Sequence, residues 1–389
     1  MTIQSNIRSL ADHVKTQVKE RDEVVDGIFT AMLSGHHVVQ LGSPGEAKSL
    51  IARLICDSLV DSAAANGSAP NEYFEWLLTR FSVPEEIFGK LSLKSLERDD
   101  LYIRKTEGKL PSASIAFLDE IFKANSAILN SLLTVLNEGI YHNGDAGQCK
   151  VPLLACIAAS NEYPEDDCAA LWDRFLVRFW VEPVRTEKAF LEIVDPGGSE
   201  PSALTGLVSV SDIEKARDEV AKVEFSDEML KVLHDIREAM KQIGVERSTR
   251  RWRQAAKYVR ARAFFDGDKA VNEDTFMCLV DVLWSDHKER PAIKRALQRI
   301  CNPVMVEATE FFDALSEIHA QATIREGEDA VQYGVRAGRD HEEMMKVYRR
   351  LQKLQEGNAK RKSLADLVSR GKAMVKDIRT QALSAVGML

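Results

Sequence analysis

The sequence predicts an α/β core built on a parallel sheet and followed by two all-helical regions, and three observations carry that prediction. Apolar runs at residues 36–41, 114–118 and 153–159 are too short for helices and lead into glycine, acidic or polar residues, as strands buried on both faces of a parallel sheet do. Helical periodicities separate these runs, the alternation that builds a layered α/β unit with functional groups at the carboxyl ends of its strands. Beyond the break DPGGSEPS, Asp195 to Ser202, helical patterns continue without a strand signal. The core is therefore expected over residues 1–190, a helical domain over 191–290 and a C-terminal helical module over 291–389, and 389 residues suffice for several hydrophobic cores.

Taken in order, Ile7, Leu10, Val14 and Val18 recur at helical spacing, and a second helix through Val24, Val25, Ile28 and Met32 stops at Ser34-Gly35. The run HHVVQL, His36 to Leu41, is a strand that ends in a glycine-rich turn, and a new helix begins near Lys48. After Asn302-Pro303 the apolar residues Phe311, Leu315, Ile318 and Ala322 share one helical face, as do Met344, Val347, Tyr348, Leu351 and Leu354. The last helix carries Leu364, Leu367, Val368, Met374, Val375 and Ile378, interleaved with Lys and Arg. That stripe is either the inside of a small bundle or a partner surface.

Composition excludes some classes. Hydrophobic residues at 45% and charged residues at 29% describe an ordinary globular protein. A net charge of -8 denies the whole surface the positive field that nonspecific nucleic-acid binding needs, so nucleic acid is an unexpected partner. Six scattered cysteines without metal-ligand spacing read as core thiols of a reducing compartment. No stretch approaches the length of a membrane span, and a cytoplasmic location is expected.

The chemistry begins at Gly42-Ser43-Pro44-Gly45-Glu46-Ala47-Lys48-Ser49, between a predicted strand and a predicted helix. Such a loop turns backbone N–H groups toward phosphate oxygens, with the positive helix end behind them. Lys48 would bridge the β- and γ-phosphates and Ser49 would hold Mg²⁺. Ala47 stands where the GxxxxGK[ST] pattern has glycine. The strand Ile115 to Leu118 ends in Asp119-Glu120, a Walker B pattern in which Asp119 would hold Mg²⁺ through its water shell and Glu120 would polarise the attacking water. A third strand ends in Ser160-Asn161-Glu162, where Asn161 has the reach to orient that water or simply forms a turn. In Leu171 to Phe179, one of Arg174 and Arg178 would serve a neighbouring subunit's site, unless the pair only neutralises Asp173.

The blocks GSPGEAKS, VPEEIFGKL, FLDEIFKA, LLTVLNEGIYHNG, AASNEYPE, LWDRFLVRFW and RSTRRWRQA together resemble the RavA branch of the MoxR-type AAA+ ATPases over residues 10–290. The resemblance implies an AAA+ P-loop core with a parallel sheet and an all-helical lid; it thins after about residue 300, where the helical C-terminal module rests on the periodicities alone. It tolerates Ala47, which RavA shares. It implies sensor 1 at Asn161, the arginine finger at Arg174 and sensor 2 at Arg250, with Arg178 and Arg251 as rivals. It also implies a helix-2 insert at Lys90 to Lys109 and a hairpin at Glu138 to Val151 turning at Asn143-Gly144, both facing a pore or its rim. ATP and Mg²⁺, a hexameric homo-oligomer, a von Willebrand A domain partner and a protein client follow from the same resemblance. RavA's β-rich insertion, which binds a decarboxylase, has no counterpart in the helical tail, so that partner does not transfer.

Two other classes share these motifs. A helicase-like nucleic-acid motor would need a basic tracking hairpin, but Glu138 and Asp145 accompany His142 and Lys150 in this one. A non-hydrolysing nucleotide-dependent scaffold would lack Glu120 or the arginines, and the chain has both.

Overall fold

The computed structural model describes residues 2–59, 73–165, 168–195, 201–322, 330–357 and 362–385, and residues 196–200 of the expected break lie outside them. Two compact units divide the chain, residues 1–294 and 295–389.

Among the described residues the first unit has seven strands: β1 Val38–Gly42, β2 Tyr73–Leu77, β3 Ile115–Asp119, β4 Ile140–His142, β5 Gln148–Lys150, β6 Ala155–Ser160 and β7 Val177–Val181. Five form one sheet in the order β2-β3-β6-β1-β7, and every pairing in it is parallel. The register sets Leu41 beside Ser160, Gly42 beside Val181 and Leu118 beside Ala158. The carboxyl ends of β1, β3 and β6 therefore share one edge, which brings the glycine-rich loop, Asp119-Glu120 and Asn161 together. β1, β6 and the first four residues of β3 are buried throughout, as the near-continuous apolar runs demand.

Two strands of this sheet escaped the sequence reading. β2, YFEWL, is an edge strand whose Glu75 and Leu77 break the apolar run. β7, VRFWV, carries a fully enclosed Arg178 that a sequence reader takes for a surface residue. The two N-terminal helices stand where their periodicities put them. Helix Ile3–Gln17 buries Ile7, Leu10 and Val14, and helix Asp22–Ser34 ends at a left-handed Gly35. Within the helical domain, helix Thr249–Asp266 packs on Asp22–Ser34 through stacked Phe29 and Phe265, 6.3 Å apart. Four cysteines are buried, whereas Cys149 and Cys278 are half-buried, which corrects the expectation of six core thiols. Among the described residues no helix is long and apolar enough to cross a membrane.

The second unit contains helices Pro303–Gln321, Ala330–Gly357 and Lys362–Ala385. Leu315, Met344, Tyr348, Leu351, Leu364, Val368 and Ile378 form one buried cluster, so the last helix's apolar stripe is bundle interior.

His37, just before β1, pins three elements: its Nε2 lies 3.0 Å from the carbonyl of Leu136, and its Nδ1 accepts the N–H of Cys156 at 3.0 Å. That arrangement requires a neutral ring, and burial lowers the pKa of His37 to about 4 and that of His36 to about 3. Below pH ~6.5 the unfolded chain takes up protons that the folded chain refuses, so stability should fall as pH drops from ~6.5 toward 4, by about 1.4 kcal/mol per pH unit for each histidine at most. Urea unfolding at pH 7.5 and pH 5 measures this, and an unchanged midpoint would contradict it.

Candidate active site

The loop after β1 is shaped by close approach and by strain. Gly42 lies against β7 so tightly that a Cβ would sit 2.2 Å from the Val181 carbonyl oxygen. Ala47 has φ 63°, the left-handed conformation for which glycine is the usual residue. The helix starts at Lys48, where the sequence placed it, and Ala47 completes the turn before it. Holding alanine there costs about 1 kcal/mol. Ala47→Gly is accordingly expected to be neutral or stabilising by up to ~1 kcal/mol, since glycine's freedom in the unfolded chain offsets part of the relief. Chemical denaturation reads the change, and a clear loss of stability would mean that the strain is not there.

Lys48 heads the next helix and turns its ammonium back into the loop. Its Nζ donates to the carbonyls of Gly42 and Ser43 and to Oδ1 of Asn161, each at 2.7 Å. Burial lowers the lysine's pKa below its ordinary value, with Glu120, Asp119 and Glu46 opposing the shift. One residue on, Ser49 Oγ donates to Asp119 Oδ2 at 2.9 Å, and Asp119 Oδ1 accepts the N–H of Glu120 at 3.0 Å. Glu120 is itself left-handed, φ 53°, which turns its carboxylate back over the sheet edge. Its Oε1 accepts from Asn161 Nδ2, and Lys123 lies 3.3 Å from its Oε2. Lys48, Asn161 and Glu120 thus form one continuous polar chain. Ser49 and Asp119 supply a hydroxyl and a carboxylate, the hard oxygen donors that suit Mg²⁺.

Two members of this site were not found in the sequence. Lys123 stands three residues after Glu120, a spacing that would have disclosed it. Arg21 lies 25 positions before Glu46, and only the fold shows their ion pair at 3.1 Å. Arg21 also borders a cavity of about 1070 Å³, lined by residues 20–24, the end of β7 and residues of the helical domain. Ser43, Pro44 and Gly45 are exposed at the tip of the loop.

The four arginines separate into two kinds. Arg178 is 2% exposed and donates to the carbonyls of Phe175, Trp284 and Trp172 at 3.0, 2.7 and 2.8 Å. Arg251 is likewise buried, bonding the carbonyls of Val282 and Leu176. By contrast, among the described residues Arg174 has only a loose ion pair with Asp173 at 3.8 Å, and its buried Nε–H has no acceptor there. Arg250 is exposed and donates to Asn137 Oδ1 at 2.6 Å. Neither Arg174 nor Arg250 bonds to the Lys48–Asn161–Glu120 chain.

The segments expected at a pore are stitched to each other. Helix Leu93–Asp99, which buries no residue, is flanked by a bridge between Leu91 and Arg104. β4 and β5 form an antiparallel hairpin whose loop, Asn143–Gly147, is longer than the two-residue turn expected at Asn143-Gly144. The Asn143 side chain accepts the N–H of Arg104 at 2.8 Å and donates to its carbonyl at 3.0 Å. Gly144 approaches Tyr102 so closely that a Cβ would lie 2.0 Å from its carbonyl oxygen.

Comparison with known proteins places this geometry among relatives. The family described as "MoxR domain in the MoxR-vWA-beta-propeller ternary systems" matches residues 5–217, and the AAA lid domain matches residues 228–297. An uncharacterized protein of Methanocaldococcus jannaschii is 36% identical over 316 residues, covering 79% of this chain and 80% of its own length. A second from that organism is 34% identical over 301 residues, covering 77% of this chain and 76% of its own. A structural protein of Acidianus two-tailed virus is 27% identical over 232 residues, 55% of this chain and 36% of that protein. In fold, a candidate ATPase of Cytophaga hutchinsonii superposes with a TM-score of 0.58 at 18% identity, covering 76% of this chain and 94% of that one.

Proposed function

The chain belongs to the MoxR-type AAA+ ATPases, and from that membership we propose that it hydrolyses ATP at the subunit interfaces of a hexameric ring. The cycle drives remodelling or activation of protein clients in concert with a von Willebrand A domain partner. One observation carries the reading: Lys48, Asn161 and Glu120 are joined at one sheet edge beside Ser49 and Asp119, while the Arg174 side chain, partly exposed, is held by no more than a loose ion pair with Asp173. A site complete except for a cation to meet the γ-phosphate calls for that cation from a neighbour.

In this reading the loop's N–H groups and Lys48 hold the β- and γ-phosphates, and Glu120 takes up the attacking water's proton as Asn161 fixes its direction. Ser49, and Asp119 through a water shell, would hold Mg²⁺, which would supply positive charge to the phosphate oxygens. Arg174 of the adjacent subunit meets the charge that develops on the transferred group, and Arg250 acts as sensor 2. The cavity beside Arg21 is where the nucleoside lies. The family's printed name, with its vWA component, supports the partner, and the order of the sequence blocks supports the RavA branch.

ATP turnover per subunit, measured as protein concentration rises, tests the proposal. A rate that climbs and then saturates is expected. A constant, nonzero rate at dilutions where sizing shows monomers would overturn completion by a neighbour, and no turnover at any concentration would leave a nucleotide-dependent scaffold.

A further inference from the structure

Three residues assigned to the site have an aromatic residue two positions away: Phe122 after Glu120, Tyr163 after Asn161, and Trp172 before Arg174. The fold gathers these three rings into one cluster with Trp172 at its centre. Trp172 meets Phe122 at 5.9 Å and Tyr163 at 6.2 Å, both edge-on, and the helical domain's Trp284 at 5.8 Å in the same manner. The guanidinium of Arg178 lies 4.0 Å over the Trp172 ring, fixed there by its three carbonyl bonds. Edge-to-face and cation–π contacts are directional, so the ring has one orientation and not merely a filled space.

The links from ring to polar residue are short and stiff. Ser160 Oγ donates to the Glu162 carbonyl at 2.8 Å and accepts the Glu162 N–H at 3.1 Å, closing the turn between Asn161 and Tyr163. Phe122 sits in the 3₁₀ turn Ile121–Lys123 that starts from Glu120, and Trp172 shares the short helix Ala169–Arg174 with Arg174. The helical domain grips the same cluster: His287 donates its N–H to the Tyr163 hydroxyl at 2.9 Å, its Nδ1 lies 2.6 Å from that oxygen, and its ring stacks on Trp180 at 4.0 Å. In a densely packed interior a shift of one such ring displaces its neighbours.

We propose that Trp172 is the positioning residue for Arg174, and that its ring, held by Phe122 and Tyr163, carries the arrangement of Glu120 and Asn161 in one subunit to the arginine which that subunit presents to the next. The inference rests on the reading of Arg174 as an arginine acting across the subunit boundary. It predicts a defect that belongs to the donor of the arginine and not to the site behind it.

The test uses the full-length chain with Trp172→Leu, which removes the aromatic edge, and Trp172→Phe, which keeps a smaller one, each alone and mixed with excess Glu120→Gln. Alone, Trp172→Leu should lower kcat about tenfold or more, and Trp172→Phe about threefold, with KM for ATP within about twofold of wild type. In the mixture, the subunit with the altered ring keeps an intact Glu120, and its Glu120→Gln neighbour supplies a well-placed Arg174. Turnover per Trp172-variant subunit should therefore recover most of the loss, which a general packing defect would not permit. Wild-type kcat in both variants, or variants that stay slow in the mixture, would overturn the proposal. If Trp172→Leu fails to fold, Trp172→Phe carries the same test alone. A parallel mixture of Arg174→Ala with Glu120→Gln separates the two claims: without recovery there, the intersubunit role of Arg174 falls, independently of Trp172.

Discussion

Glu120→Gln should bind ATP with affinity within about twofold of wild type while turning it over at least a hundredfold more slowly. The substitution keeps the side chain's shape and an oxygen for Asn161 Nδ2, and it leaves the contacts of Lys48, Ser49 and Asp119 in place. What it removes is the negative charge that polarises water, and with it the attraction for Lys123. Loss confined to kcat is the mark of an interaction made in the transition state, whereas a group that holds ground state and transition state alike, as proposed for Lys48 and the loop, would change affinity. Phosphate release measured beside equilibrium nucleotide binding gives both quantities from one preparation. Near-normal hydrolysis would remove Glu120 from the mechanism and leave its hydrogen bond with Asn161 as a structural one.

Why Glu120 was legible in sequence while other members of the site were not has a physical reason. The phosphate loop and Asp119-Glu120 are each continuous in sequence, because each is built at the end of one strand. Asn161 was legible for the same reason, but its bonds to both Lys48 and Glu120 join residues 113 and 41 positions apart, which no local pattern encodes. Ala47 is the reverse case: its identity was plain, yet its left-handed backbone appeared only in the fold. β2 and β7 were missed because period and polarity report which side chains meet water. Arg178 defeats that logic by satisfying its donors on carbonyls that come from residues 172, 175 and 284. The C-terminal stripe stayed ambiguous because a bundle interior and a partner surface share the same periodicity, and packing alone distinguishes them.

Arg174 and Arg178, four residues apart and inseparable in sequence, should respond to alanine in opposite ways. Arg178→Ala strands the carbonyls of Phe175, Trp172 and Trp284 and opens a cavity against the Trp172 ring. Buried acceptors left without donors cost ~1–3 kcal/mol each before relaxation, so a loss of about 3–5 kcal/mol of stability is expected. Arg174→Ala forfeits a 3.8 Å ion pair with an exposed partner, an interaction worth about 0–1 kcal/mol, and should unfold at nearly the wild-type temperature. Its cost falls on turnover, which should drop about a thousandfold, the usual effect of removing an arginine that meets a phosphoryl group in transit. Thermal unfolding and phosphate release on the two variants decide between them, and the reverse pattern would make Arg178 the catalytic cation and Arg174 a structural one. The same reasoning extends to the neighbouring pair in the helical domain, where Arg251 is committed to the carbonyls of Val282 and Leu176 while Arg250 is exposed. In both pairs the guanidinium whose donors are spent on buried carbonyls should cost stability when it is removed, whereas the one beside it, held by an ion pair with Asp173 in the case of Arg174 and by a single bond to Asn137 in that of Arg250, should cost little.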